Sequence, residues 1–139
     1  MKATELQLND LVLDQYGKIT RVTSMSDSMI ITVLDGGMTL SRPEQVQPIP
    51  LTEEILVKNG FEYAYNEVSK MQNKQLLVAN IGSHYIEIRF DKRNVAIWYD
   101  YDEDGDGVYS DVLIDLPHNV HNFQHLLRLC GIDKELIID

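Results

Sequence analysis

The chain is short of cysteine, of positive charge and of long apolar stretches, and each shortage excludes something. Its single cysteine, Cys130, cannot form an internal disulfide, which fits a reducing cytoplasm. The longest apolar runs, such as MIITVL, are far too short to cross a bilayer. The start, MKATELQLND, has no basic segment followed by an apolar one, so no secretory signal is expected. A cytoplasmic protein away from membranes is the expectation. The glycines form no P-loop, no dinucleotide fingerprint and no G-x-S-x-G elbow, so no catalytic motif is present.

Positive charge is scarce as well. Twelve Lys and Arg stand against 22 Asp and Glu, a net charge of −10. The imbalance is uneven, with residues 1–50 at −2 and residues 51–139 at −8. Nucleic-acid and anionic-lipid surfaces demand clustered Lys and Arg. The nearest group, Arg89, Lys92 and Arg93, is interrupted by Asp91 and preceded by Glu87. Direct nucleic-acid binding is therefore disfavoured, whereas a basic protein partner suits the charge.

What remains is a well-punctuated globular sequence. LVLDQYGKITRVTSM reads as two strands around a turn at Gly17, MIITVLD as a third, with Gly36 and Gly37 turning the chain after it. MTLSRPEQVQPIP carries three of the four prolines and is expected to end regular strand structure. Several short strands in fifty residues suggest a small N-terminal barrel of the Src-homology-3 (SH3-like) kind, with a three-stranded meander as the alternative. PIPLTEEILVKNGF predicts a two-turn helix. Thr52 is the N-cap, Glu53 and Glu54 complement the dipole, and Leu51 and Leu56 form a staple. Gly60 closes the helix and lets Phe61 fold back on Leu56.

From Phe61 to Leu116 the period changes to two. EYAYNEV, KQLLVAN, HYIEIRF, NVAIWYDY and VYSDVLIDL are five candidate strands of an antiparallel sheet, with Ile86, Ile88 and Phe90 on one face of the third. NVHNFQHLLRLCG then predicts a covering helix, with Val120, Phe123, Leu127 and Cys130 as its apolar stripe and Gly131 as its stop. The expected class is α+β: a β-barrel domain at 1–50 and an α+β domain at 51–139.

Three segments, KATELQLNDLV, PIPLTEEILVKNGF and VHNFQHLLRLCG, occur in that order. Together they resemble a family of short uncharacterised proteins from gut bacterial genomes, prophages and mobile elements. Its members open on E-L-R-I-G-N, carry P-I-P-L-T-E-E-W-L with G-F behind it, and close on V-H-x-L-Q-N-L. Here Gln7 replaces the arginine, Asn9 the glycine, Ile55 the tryptophan and His125 the asparagine. The resemblance implies an architecture and a genomic setting, and no activity. His121 and Gln124 match the closing motif, and the plain expectation is that they hydrogen-bond within the fold.

Two constellations invite metal chemistry. DEDGDGVYS at 102–110 places Asp102, Asp104 and Asp106 at calcium-loop spacing with Gly107 behind them. Position 12 of that loop is Leu113 in place of a bidentate glutamate, and both flanks alternate like strands. An exposed acidic hairpin tip between residues 94–101 and 108–116 is expected instead. On a helix His118, His121 and His125 fall at about 0°, −60° and −20°, one face that offers zinc an i, i+4 pair at His121 and His125. No other ligand sits nearby on that helix, so a solvated face is the expectation. No cofactor is implied.

The aromatics Trp98, Tyr99 and Tyr101, beside Tyr85, are sheet packing or, where exposed, a partner surface. The reading that emerges is a non-enzymatic protein-interaction module of prophage or mobile-element origin. The alternative is a metal-binding protein using calcium at 102–110 or zinc at 118–125.

Overall fold

The computed structural model describes residues 6–26, 29–34, 37–100 and 109–138. It is an α+β protein with two antiparallel sheets, of four and five strands, and a helix near the C-terminus. The chain divides into two compact units, Met1–Leu51 with His118–Leu126 and Thr52–Pro117 with Leu127–Asp139. Among the described residues no helix is long and apolar enough to cross a membrane.

In the N-terminal unit the strands are β1 (Leu11–Leu13), β2 (Ile19–Met25), β3 (Ile30–Leu34) and β4 (Gly37–Ser41), paired in that order. The order is open, and the described residues do not close it into a barrel. The β1–β2 turn is built by Asp14, whose carboxylate accepts the N–H groups of Tyr16 and Lys18, while Gly17 takes φ +75°. Strand β4 precedes the prolines: residues 37–41 contain none, so they pair fully with β3 from Leu34↔Gly37 to Ile30↔Ser41. A 3-10 turn at Pro43–Gln45 follows, and Gln47 then makes an antiparallel bridge to Leu13 with both backbone bonds formed, at 2.9 and 3.0 Å. Leu6, Val12, Val22, Ile30 and Val46 form the core beneath this sheet, with Met25 against it.

The β3–β4 pair is patterned in reverse at its edge. Met38 and Leu40 are exposed while Thr32 and Ser41 are buried. The hydroxyls of Thr32 and Ser41 have no hydrogen-bond partner among the described residues. A buried hydroxyl in that state costs stability.

Residues 118–126 belong to the same unit. Leu51 N–H donates to the His118 carbonyl, Pro50 bridges Asn119, and Val120 N–H donates to the Ile49 carbonyl. Asn119 then caps helix α2 (Val120–Leu129), its Oδ1 accepting from Asn122 N–H at 3.0 Å.

The other unit begins with helix α1 (Glu53–Lys58). Thr52 caps it as expected, its hydroxyl accepting from Ile55 N–H at 3.3 Å. Both helices end the same way. After α1, Gly60 N–H donates to Val57 and Phe61 N–H to Leu56; after α2, Gly131 N–H donates to Arg128 and Ile132 N–H to Leu127. These are Schellman closures. The glycines adopt φ +96° and +76°, and Phe61 and Ile132 are buried with their partners Leu56 and Leu127.

The five-stranded sheet is a meander of β5 (Glu62–Asn66), β6 (Met71–Ile81), β7 (His84–Arg89), β8 (Asn94–Asp100) and β9 (Tyr109–Asp115). Period two places Leu77, Ile88 and Val95 in one cross-strand row and Ala79, Ile86 and Ile97 in the next, all buried. Tyr63, opposite Leu77, donates its phenol to Glu53 at 2.7 Å, which sets α1 on this face. The chain end is tied to α1 by Asn59. Its side-chain amide donates to the carbonyls of Ile55 and Ile137, and its Oδ1 accepts from Ile137 N–H, each at 2.7 Å.

Candidate interaction surface and histidine cluster

The opposite face of the five-stranded sheet follows from the same alternation. Its rows are Leu76, Arg89, Asn94 and Asp115; Glu62, Val78, Glu87, Ala96 and Leu113; and Asn80, Tyr85 and Trp98. This face is partly open to solvent, with Ala96 buried within it. Glu62, Asn80, Arg89 and Asp115 are exposed, and Leu113 is 68% exposed. An antiparallel sheet tolerates a wet face, but polar side chains usually line it. Here apolar and aromatic groups run through its middle.

Tyr85 and Trp98 pair directly across β7 and β8, with ring centroids 5.6 Å apart and planes at 34°. Each ring is half-buried. That spacing is a normal aromatic contact and holds both side chains in place. Partial burial pushes the Tyr85 phenol above its ordinary pKa, and the Glu87 charge and hydrogen bond push it the same way. Glu87 also meets the Arg89 guanidinium at 3.5 Å, with only 17% of its side chain exposed. The result is a patch of aromatic, aliphatic and carboxylate groups.

Of the aromatics singled out from sequence, Trp98 and Tyr85 are therefore brought together. Tyr99 takes the next register position, opposite His84, and Tyr101 lies outside the described residues. The alternation could have revealed Leu113. With Val112, Ile114 and Leu116 assigned inward, the leucine between them has to face out.

Strands β8 and β9 pair antiparallel from Asn94↔Asp115 to Asp100↔Tyr109, so strands stand on both sides of the acidic loop. Asp102, Asp104 and Asp106 themselves lie outside the described residues.

The histidines separate. His118 is exposed, whereas His121 is 1% exposed and its ring packs edge-on to His125 at 5.7 Å. His125 Nε2 lies 2.8 Å from both Asp10 oxygens, and the Asp10 side chain is fully buried. Asp10 Oδ2 also accepts the Gln7 N–H at 2.7 Å. The face expected to be solvated is in fact turned into the N-terminal unit. His121 and Gln124 are buried, and the half-buried His125 meets a carboxylate from the start of the chain. Nothing local in the sequence marks Asp10 for this role. Among the described residues no group of three or more His, Cys, Asp or Glu is arranged to hold a metal ion.

Cys130 sits between the end of α2 and Gly131 and is half-buried. Burial raises its thiol pKa, which suppresses the thiolate a nucleophile would need.

Searched against protein-family models, curated proteins and solved structures, the chain matches none.

Proposed function

We propose that this is a non-enzymatic protein-interaction module that binds its partner through the open face of the five-stranded sheet. The observation that carries the reading is the packed Tyr85–Trp98 pair on the same sheet face as exposed Leu113. Aromatic groups fixed at low entropic cost are what interfaces use as anchors. The half-buried rings already have part of their surface out of water, so a partner has only the remainder to desolvate.

The N-terminal unit, in this reading, is an SH3-like barrel that supports the module. Two features favour it: the 3-10 turn at Pro43–Gln45 after β4, and the Leu13↔Gln47 bridge that returns the chain to β1. The resemblance to the prophage and mobile-element family gains support from Asn9. That residue adopts φ 72°, a conformation glycine takes freely and asparagine tolerates better than most. A cytoplasmic setting completes the proposal.

The test is quantitative affinity purification from the native host with the wild-type chain and a folded W98A/L113S variant as baits. A partner enriched by the wild type and lost with the variant is the expected result. A partner that follows both baits equally would refute the assignment of the surface.

A further inference from the structure

We infer that the open sheet face takes a cationic polypeptide segment, with Arg or Lys heads against its carboxylates and an apolar side chain on Trp98 and Leu113. The inference rests on the reading of this face as an interaction surface and goes on to name the partner's chemistry.

Charge complementarity points to the occupant. The unit that carries the face holds eight Lys and Arg against sixteen Asp and Glu. Among the described side chains of the face the carboxylates are Glu62, Glu87 and Asp115 and the cation is Arg89, which is already engaged with Glu87. Glu62 and Asp115 are exposed and have no salt bridge among the described residues. They bracket the apolar strip. Glu62 stands at one end of the Val78–Glu87–Ala96–Leu113 row, and Asp115 stands two residues along β9 from Leu113. An acidic partner would bring like charge onto this rim, which electrostatics penalises. A neutral apolar partner would cover Trp98 and leave both rim carboxylates without a counter-charge. A segment alternating Arg or Lys with apolar residues satisfies both groups, and a guanidinium also stacks favourably on an indole.

Trp98 is the only tryptophan, so its emission reports the face directly. The experiment titrates the full chain with three ten-residue peptides free of Trp and Tyr, in which Leu alternates with Arg, with Glu or with Ser. The Arg–Leu peptide is expected to shift Trp98 emission to shorter wavelength and to bind about tenfold more weakly to E62Q/D115N. The control E54Q/E67Q, which removes the same charge from exposed sites off the face, should bind as the wild type does.

Several outcomes overturn the inference. Equal binding of the Ser–Leu peptide, insensitive to E62Q/D115N, would discard the cationic partner while leaving the face an interaction surface. Binding of the Arg–Leu peptide with no change in Trp98 emission would discard the surface as well. Failure of all three peptides to bind would discard the inference alone, because the W98A/L113S purification judges the surface separately. An emission shift that depends on protein concentration without peptide, with dimers in sedimentation, would assign the face to a second copy.

Discussion

The Asp10 carboxylate and the His125 Nε2 meet at 2.8 Å across 115 residues of chain, inside the N-terminal unit. The contact joins the turn before β1 to the first part of α2. Asp10 also accepts the Gln7 N–H, and its own carbonyl accepts from Val22 N–H, so one residue organises the turn, the sheet and the helix. Removing one partner of a buried hydrogen bond strands the other. H125A is expected to lower stability by about 2 kcal/mol, and D10A by a similar amount. H118A, at an exposed position, should change it by less than about 0.5 kcal/mol. Urea unfolding of the three variants checks this. Equal midpoints for H118A and H125A would show that the contact contributes nothing.

Asn59 performs a comparable task in the other unit. It forms a paired hydrogen bond with the backbone of Ile137 and is 4% exposed. N59A leaves the N–H and C=O of Ile137 without these partners and should cost about 2 kcal/mol. N59D keeps the size and the acceptor but loses the donor, so it should destabilise as well. Amide hydrogen exchange at Ile137 separates this tie from general loosening. Exchange there should accelerate in N59A, and unchanged protection would contradict the assignment.

The Thr32 hydroxyl offers a gain. It is fully buried with no hydrogen-bond partner among the described residues, opposite Val22 on one side and Thr39 on the other. T32V replaces the unsatisfied oxygen with a methyl group of nearly the same volume and should stabilise the fold by about 1 kcal/mol. A lower urea midpoint for T32V would mean that the hydroxyl has a partner after all.

Alkaline pH should weaken the fold through Cys130. Burial raises the folded thiol above the ordinary value of 9.0, so the folded state keeps its proton where the unfolded state has lost it. Stability is then fully present below the unfolded pKa and falls as pH rises through it towards the folded one. C130A should remove this part of the alkaline loss. Iodoacetamide at pH 8.5 should alkylate the native chain more slowly than the urea-unfolded chain, and equal rates would contradict a shielded thiol.

Local chemistry made much of this legible in advance. Thr52, Gly60 and Gly131 mark helix ends because capping is settled by a few neighbouring residues, and both glycines adopt the positive φ a Schellman closure needs. The period of two between Phe61 and Leu116 anticipated all five strands of the second sheet, since side chains of a strand alternate whatever lies beyond. What the sequence could not show is which distant group meets a polar side chain. The face of His118, His121 and His125 looked wet, because hydrophobic patterning counts histidine as polar and has no term for a carboxylate 115 residues before His125. The same holds for Asn59 and Ile137. Thr32 and Ser41 are buried without a hydrogen-bond partner among the described residues, while Met38 and Leu40 on the same pair of strands are exposed. Helix ends and strand faces were thus determined by near neighbours in the chain. The burial of Asp10 and Asn59 was decided by tertiary structure, because a buried polar group is stabilised where the fold brings it a partner.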